Sequence, residues 1–226
     1  VELILIYSFL INSLNCSFQT SIFNEMNKLE NGKNLIMSPL SIFQVLSLTT
    51  NGARGTTQKE MLETLQGLSI DELNEINYHI LEVFQNFTTV EMANGVMTKV
   101  TPLSEFSKVA ENYLAPVENL ESANQINSWC SEKTHGKITK IIDELDDDIK
   151  MVLLNAIYFK GNWLYNFEKR LTLKQPFYNF GTEEIKVDTM SNLETLKYYE
   201  DLNVQAVSLP YEKDGMSAII ILPREG

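Results

Sequence analysis

The sequence is short of cysteine and of basic residues, and each shortage excludes a class of function. Two cysteines, Cys16 and Cys130, stand among 226 residues. They are too few for a disulfide framework, and no Cys-x-x-Cys or Cys/His cluster predicts a zinc site. We interpret both as small buried hydrophobic residues. Acidic residues outnumber basic ones, 30 to 18, and the formal net charge is −12. This charge argues against nucleic acid or an anionic membrane as a partner, because both are bound through clustered Lys and Arg.

Histidine is equally scarce, and its scarcity removes most routes to catalysis. The chain has two histidines, His79 and His135. A Ser or Cys nucleophile needs a base within hydrogen-bond reach that a third group orients, and nothing in the sequence singles out such a set. The acidic run Asp143–Asp148 lacks the spacing of a calcium loop, and no glycine-rich loop is suited to cradle a phosphate. We therefore predict no catalytic residue, no metal and no cofactor, and a protein that is not an enzyme.

No apolar run is long enough to cross a bilayer. The apolar segment Val1–Leu14 falls short of the roughly 20 residues that a spanning helix needs. It has two interpretations, a signal-like segment or an extension of the first helix. The helix is favoured by apolar residues that recur every three or four positions: Leu3, Tyr7, Leu10, Leu14, Phe18, Ile22, Met26 and Leu29. Glycosylation sequons begin at Asn15 and Asn86 and matter only in a secreted protein. We expect secretion, with a cytoplasmic location as the alternative.

The remaining composition is that of a globular protein, with 44 % hydrophobic and 21 % charged residues. Ser38-Pro39 predicts a helix N-cap followed by proline in the first turn, and the apolar residues up to Leu48 predict that this helix is buried. Capping-box patterns at Thr57–Glu60 and Ser69–Glu72 predict two further helices. Continuous apolar runs predict buried strands later in the chain: Met151–Phe159 and Met216–Leu222. Helices followed by strands predict the α+β class, and we expect residues 1–226 to form a single domain.

Several short segments, taken in order along the chain, share their pattern with one known family. These segments are Asn34–Ile42 (NLIMSPLSI), Asn51–Thr56 (NGARGT), Ala93-Asn94, Ile126–Trp129 with Thr134–Ile138 (INSW and THGKI), Leu154–Trp163 (LNAIYFKGNW), Phe167 with Pro176-Phe177 and Met190, and Leu209–Tyr211 with Ile221–Pro223. Each motif is weak alone, but their order and their spread from Asn34 to Pro223 make coincidence an inadequate explanation. On these residues the chain resembles the serpins.

The resemblance implies a fold and a mechanism. The fold is α+β, with mostly antiparallel sheets A, B and C surrounded by about eight or nine helices, and it is incomplete at the C-terminus of this sequence. The implied function is inhibition of serine proteases, with cysteine proteases as a further target class, by insertion of a cleaved bait loop into sheet A and covalent trapping of the enzyme. Alternatives are a non-inhibitory serpin that acts as carrier, chaperone or storage protein, and a truncated, inactive serpin.

The resemblance also assigns residues. Ser38, Ser41 and Asn155 correspond to the shutter beneath sheet A, and Trp163 corresponds to the breach, where insertion begins. The reactive bond would lie beyond Gly226, outside this sequence, and the residues that select the target protease would lie there with it. Asn51 replaces a usual leucine, which we interpret as a packing variation. The helix that binds heparin in some serpins has no Lys or Arg here before Phe87, so we predict no heparin activation. The implied protein is a monomer.

Overall fold

The computed structural model describes residues 18–30, 33–179 and 183–224. They fall into two compact units. The first comprises the residues up to Asn86 together with Glu91–Tyr158, and the second comprises Phe87–Val90 together with the residues from Phe159 onward. The expectation of a single domain for residues 1–226 stays a prediction. The segment Val1–Leu14, Asn15 and Cys16 lie outside the described residues, so the interpretations placed on them stay open.

The first unit contains all six α-helices of the described residues. Helix α1 covers residues 18–29, in agreement with the periodicity of its apolar side chains. The other five are α2 (Pro39–Gly52), α3 (Gly55–Thr64), α4 (Ile70–Gln85), α5 (Ser104–Asn112) and α6 (Ala123–Lys133). Within this part of the chain, no helix combines the length and apolarity needed to cross a membrane.

Helix starts follow the capping signals only in part. Ser38 caps α2, with proline at the first helical position. Ser69 and Glu72 form the predicted capping box of α4, in which each side chain bonds the backbone of the other. The box predicted at Thr57–Glu60 is wrong, because α3 already begins at Gly55 after an extended Arg54 that provides no side-chain cap.

The buried face of α2 is more polar than its sequence suggests. Phe43 and Leu48 are buried as expected, but the other buried residues of this helix are polar: Gln44, Ser47, Thr50 and Asn51. Three of these side chains bond a carbonyl one turn back in the same helix: Ser47, Thr50 and Asn51. The helix therefore brings hydrogen-bonding groups, and not only apolar groups, into the centre of the first unit.

A three-stranded sheet crosses the first unit in the order β2-β1-β3. Its strands are β1 (Val90–Thr98), β2 (Val117–Asn119) and β3 (Met151–Phe159). Strand β2 runs parallel to β1, with Val96 opposite Val117. The N–H of Lys99 donates to the carbonyl of Lys150 at one end, and that of Lys160 donates to Thr89 at the other, so β1 and β3 are antiparallel.

Both faces of β3 are covered from Met151 to Ala156, as its apolar run predicts, whereas Phe159 at its end is 42 % exposed. On one face, Val152, Leu154 and Ala156 pack in a cluster with Ile126 and Trp129 of α6. On the other face, the alternate residues Met151 and Leu153 pack in a second cluster, whose buried members are Leu48, Leu81, Val96, Ala110, Tyr113 and Ala115.

The second unit contains only strands and one 3-10 turn in its described residues. Strands β4 (Leu173–Asn179) and β5 (Glu183–Thr189) form an antiparallel hairpin, and β6 (Lys197–Glu200), β7 (Val204–Pro210) and β8 (Ser217–Pro223) form an antiparallel meander. The prediction that Met216–Leu222 is a fully buried strand is wrong for these residues, since Ile219 and Ile221 are 69 % and 61 % exposed. Among the described residues, this unit has no helix of its own to cover the sheet.

Candidate functional site

The candidate site begins at the outer edge of β3. The strand is nine residues long, stands last in the sheet order, and pairs on its outer side with none of the described residues. An edge strand of this length with both faces packed on apolar clusters presents a row of unpaired backbone N–H and C=O groups. Such an edge is a template for a further strand.

Asn155 lies at the middle of β3 and belongs to a chain of side-chain amides that runs inward. Its Nδ2 donates to Oδ1 of Asn94 on β1, at 2.7 Å. Asn94 in turn donates from Nδ2 to two acceptors, the backbone carbonyl of Tyr113 at 2.8 Å and Oε1 of Gln44 on α2 at 3.2 Å. The chain thus links the edge strand, its neighbour, the end of α5 and the buried helix α2.

The backbone carbonyl of Tyr113 fixes the direction of every bond in this chain. A carbonyl can only accept a hydrogen bond, so Asn94 must turn its NH₂ group toward Tyr113 and its oxygen toward Asn155. Asn155 must then donate to Asn94. Its own oxygen, Oδ1, is left buried without a partner among the described residues, as is Nε2 of Gln44. Because an unpaired buried acceptor is costly, this oxygen is suited to receive a donor from another segment.

Ser38 and Ser41 lie together at the head of α2. Oγ of Ser38 accepts the backbone N–H of Ser41 at 3.3 Å and the hydroxyl of Ser41 at 3.0 Å. Both residues are half-buried. Among the described residues, no hydrogen bond joins either serine to Asn155, so the structure pairs the serines with each other and pairs Asn155 with Asn94.

Helix α6 covers the opposite face of the sheet through Trp129. An added Cβ at Gly95 of β1 would stand 3.2 Å from the indole Cε2, Cζ2 and Nε1 atoms, so glycine is what permits this close approach. Beyond the helix end, Nε2 of His135 lies 2.9 and 3.0 Å from the two carboxylate oxygens of Glu91. Its ring also packs on Tyr158 of β3. Trp129 and His135 both line an open cavity of about 900 Å³ between α6 and strands β1 and β2.

Trp163 belongs to the second unit, just after β3. Its ring stacks on Tyr211, with centroids 4.6 Å apart and planes at 12°, and it meets Phe167 edge to face. A β-bridge also joins Trp163 and Tyr211. The close approach of the chain here depends on Gly161, where a Cβ would stand 2.7 Å from the Tyr211 ring. These contacts agree with a packing role for Trp163, and its role at the start of strand insertion stays a prediction.

The remaining candidate residues are Asn86, the two histidines and Cys130. Asn86 is the exposed C-cap residue of α4. His79 and His135 are helix-associated, and within the described ranges no cluster of His, Cys, Asp and Glu is arranged to hold a metal. Cys130 is buried and free, and burial raises the pKa of its thiol.

Gln44 and Tyr113 were not predicted from the sequence as residues of the site, and Asn94 was noted only as part of a motif. The one signal that was available is the recurrence of polar residues on the buried face of α2, at positions 44, 47 and 51. Their spacing places them on one side of a helix. It does not say which distant side chains they meet.

The comparisons with known proteins agree with the resemblance. The family model described as Serpin (serine protease inhibitor) matches residues 13–226. Iripin-8 of Ixodes ricinus is 36 % identical over 213 residues, which is 85 % of this chain and 53 % of that protein. The chain therefore spans about half the length of the curated relatives it matches.

Solved structures repeat the match in three dimensions. A cleaved Serpin 42Da has a TM-score of 0.86 at 25 % identity, with 91 % of this chain and 60 % of that chain covered. A reactive-loop-cleaved human thyroxine-binding globulin has a TM-score of 0.89 at 25 % identity, with 96 % and 70 % covered. The predicted α+β fold is confirmed, and the chain belongs to the serpin family.

Proposed function

We propose that the full-length protein inhibits serine proteases by suicide-substrate loop insertion. In this mechanism the protease cleaves an exposed reactive loop, and the loop inserts beside β3 before the acyl-enzyme is hydrolysed, so that the enzyme stays covalently trapped. The proposal is supported by the match of the serpin family model to residues 13–226. Within the described residues it is also supported by strand β3, whose outer edge pairs with no other described strand and whose Asn155 Oδ1 is buried without a described partner. An inserted strand would pair with that edge and approach that oxygen.

The energy of strand addition is large enough to drive such a trap. Each backbone hydrogen bond contributes roughly 0.5–1.5 kcal/mol net. A strand paired along the nine residues of β3 would form about nine bonds, which together contribute about 5–13 kcal/mol. This is comparable to the stability of a whole domain, so the uninserted form would be held by a kinetic barrier.

The residues that the resemblance assigns to the shutter suit an opening sheet. Ser38 and Ser41 have short side chains with hydroxyls that can exchange partners, and we propose that they form the shutter with Asn155. We assign Trp163 to the breach. None of these residues performs covalent chemistry, because in this mechanism the target protease is the catalyst and the serpin is not an enzyme.

The test mixes full-length protein with trypsin-, chymotrypsin- and elastase-like proteases. We expect a covalent complex that survives SDS with at least one of them, and a higher melting temperature for the cleaved serpin. The matched control is the same protease with its catalytic serine replaced by alanine, which binds but cannot acylate and should give no band. Cleavage without a covalent band and without a gain in thermal stability would overturn the proposal.

That negative outcome would favour a non-inhibitory carrier, chaperone or storage role. The observation in favour of a carrier is the similarity to thyroxine-binding globulin, which has been solved in complex with thyroxine.

The proposal also includes a secreted, monomeric protein, with cytoplasmic location as the alternative. If the protein is secreted, the exposed Asn86 would carry a glycan. A loss of mass on glycosidase treatment of the secreted protein would support this glycosylation.

A further inference from the structure

The residue that departs from the family pattern at the end of α2 is part of a polar contact. Asn51, which replaces a usual leucine, is 9 % exposed. Its Nδ2 donates to Oδ1 of Asn74 on α4 at 2.8 Å, and Nδ2 of Asn74 donates back to Oδ1 of Asn51 at 2.9 Å. Two amides that satisfy each other in this way join α2 to α4. The interpretation of Asn51 as a packing variation is therefore corrected.

Tyr113 connects this amide pair to the strand edge. Its hydroxyl donates to Oδ1 of Asn74 at 2.8 Å, and its backbone carbonyl accepts from Asn94. The residue is fully buried. Burial, with a smaller contribution from neighbouring Tyr78, raises the pKa of the Tyr113 phenol far above its usual value, so the hydroxyl stays protonated and remains a donor. The side chain of Asn74 therefore anchors the Tyr113 ring on α4. The backbone carbonyl of Tyr113 orients the amide groups that lead to Asn155.

We propose that Asn51 and Asn74 are positioning residues for the edge of β3. Their amide groups fix the position of the Tyr113 ring, and the ring fixes the position of the Tyr113 backbone carbonyl. This carbonyl orients the side chain of Asn94, which in turn orients the side chain of Asn155. The juxtaposition consists of five residues from α2, α4, the end of α5, β1 and β3, joined by bonds of 2.7–2.9 Å, one of which is accepted by the backbone carbonyl of Tyr113. The consequence for strand acceptance rests on the proposed function, but the positioning itself can be measured without any protease.

The test is native-state hydrogen exchange of the full-length protein, read at the backbone amides of β3. The double variant N51L/N74L keeps an apolar contact between α2 and α4 but removes the acceptor for Tyr113, and Y113F removes only the hydroxyl. We expect each to speed exchange around Asn155 about 2- to 10-fold, because the bond that both variants remove is the single one from the Tyr113 hydroxyl to Asn74. Combining all three substitutions should add little, because both variants break the same link. Amides of α6, on the other face, should be unchanged.

The matched control is T49V, which removes a hydroxyl whose bond stays within α2, and it should leave β3 unchanged. Faster exchange spread evenly over the first unit, or effects of the two variants that simply add, would show a merely structural role and overturn the proposal. A protein that traps no protease but shows the local effect would overturn only the proposed function. Normal trapping with unchanged β3 exchange would overturn only the positioning.

Discussion

At the residue scale, Ser38 gives a prediction about stability. Its Oγ accepts the N–H of Ser41 in the first turn of α2, and an alanine there would leave that group without its partner. We expect S38A to lower the free energy of unfolding by about 1 kcal/mol, the usual effect of losing a serine N-cap. Urea unfolding of the full-length protein, followed by circular dichroism, measures the change.

Ser41 provides the matched control. S41A removes the hydroxyl that donates to Ser38 but leaves the backbone N–H that the cap satisfies, so its effect should be smaller. S38D should keep most of the stability, because aspartate is also a good N-cap residue. If S38A unfolds at the same urea concentration as the unchanged protein, the capping role assigned to Ser38 is wrong.

Capping of this kind was predictable from the sequence, whereas the chain of amides at the strand edge was not. Ser69 and Glu72 lie within one helical turn, so their spacing alone specifies the contact. Asn94 and Asn155 are 61 positions apart, and only the pairing of β1 with β3 brings them together. The sequence could indicate that Asn155 lies on a buried strand, but its partner depends on which strands become neighbours.

At the element scale, the packing of α6 on β1 depends on a glycine. A Cβ at Gly95 would meet the Trp129 ring at 3.2 Å, and Trp129 is only 8 % exposed, so the ring has little room to move. We expect G95A to destabilise the protein by about 1–3 kcal/mol through overpacking. Urea unfolding, monitored by tryptophan fluorescence, should show an earlier transition.

A glycine-to-alanine substitution at the end of α2 should raise the stability of the protein, the opposite of the effect expected for G95A. Gly52 is the last residue of α2, and a Cβ there would stand 3.4 Å from the Phe106 ring, which is ordinary contact. G52A should therefore stabilise by about 0.5–1 kcal/mol, since alanine loses less conformational freedom in a helix than glycine. Equal effects of the two alanines would contradict the assignment of Gly95 as the site of close approach.

Helices and strands were predicted well where signals in the local sequence were sufficient. They were predicted poorly where tertiary packing determines their bounds or their burial. The long apolar run of β3 identifies a strand covered on both faces, and α4 begins at its capping box. The start of α3 was misplaced because Gly55, with φ of 62°, begins the helix without any capping side chain. The burial of β8 was overestimated because an apolar sequence indicates that a strand needs cover, not whether the described residues supply it.

At the scale of the whole sequence, net charge is the property from which we predict a partner that the protein does not bind. The net charge is −12, and α4 has two acidic residues in its first turn and no basic residue in its last. Its exposed face carries further carboxylates, at Glu75 and Glu82. A sulfated polysaccharide is bound mainly through clustered Lys and Arg, and repulsion between like charges persists within a Debye length of about 8 Å at physiological salt.

We therefore expect the protein to pass through a heparin column without retention at physiological salt, and heparin not to speed its reaction with any protease. The matched control is the charge-reversed variant D71K/E75K/E82K, which changes only exposed positions of α4 and would create a basic surface on the same helix. That variant should be retained and should elute at higher salt. Retention of the unchanged protein under the same conditions would mean that a basic surface elsewhere in the full-length molecule outweighs the acidic face of α4, and the prediction would then be wrong.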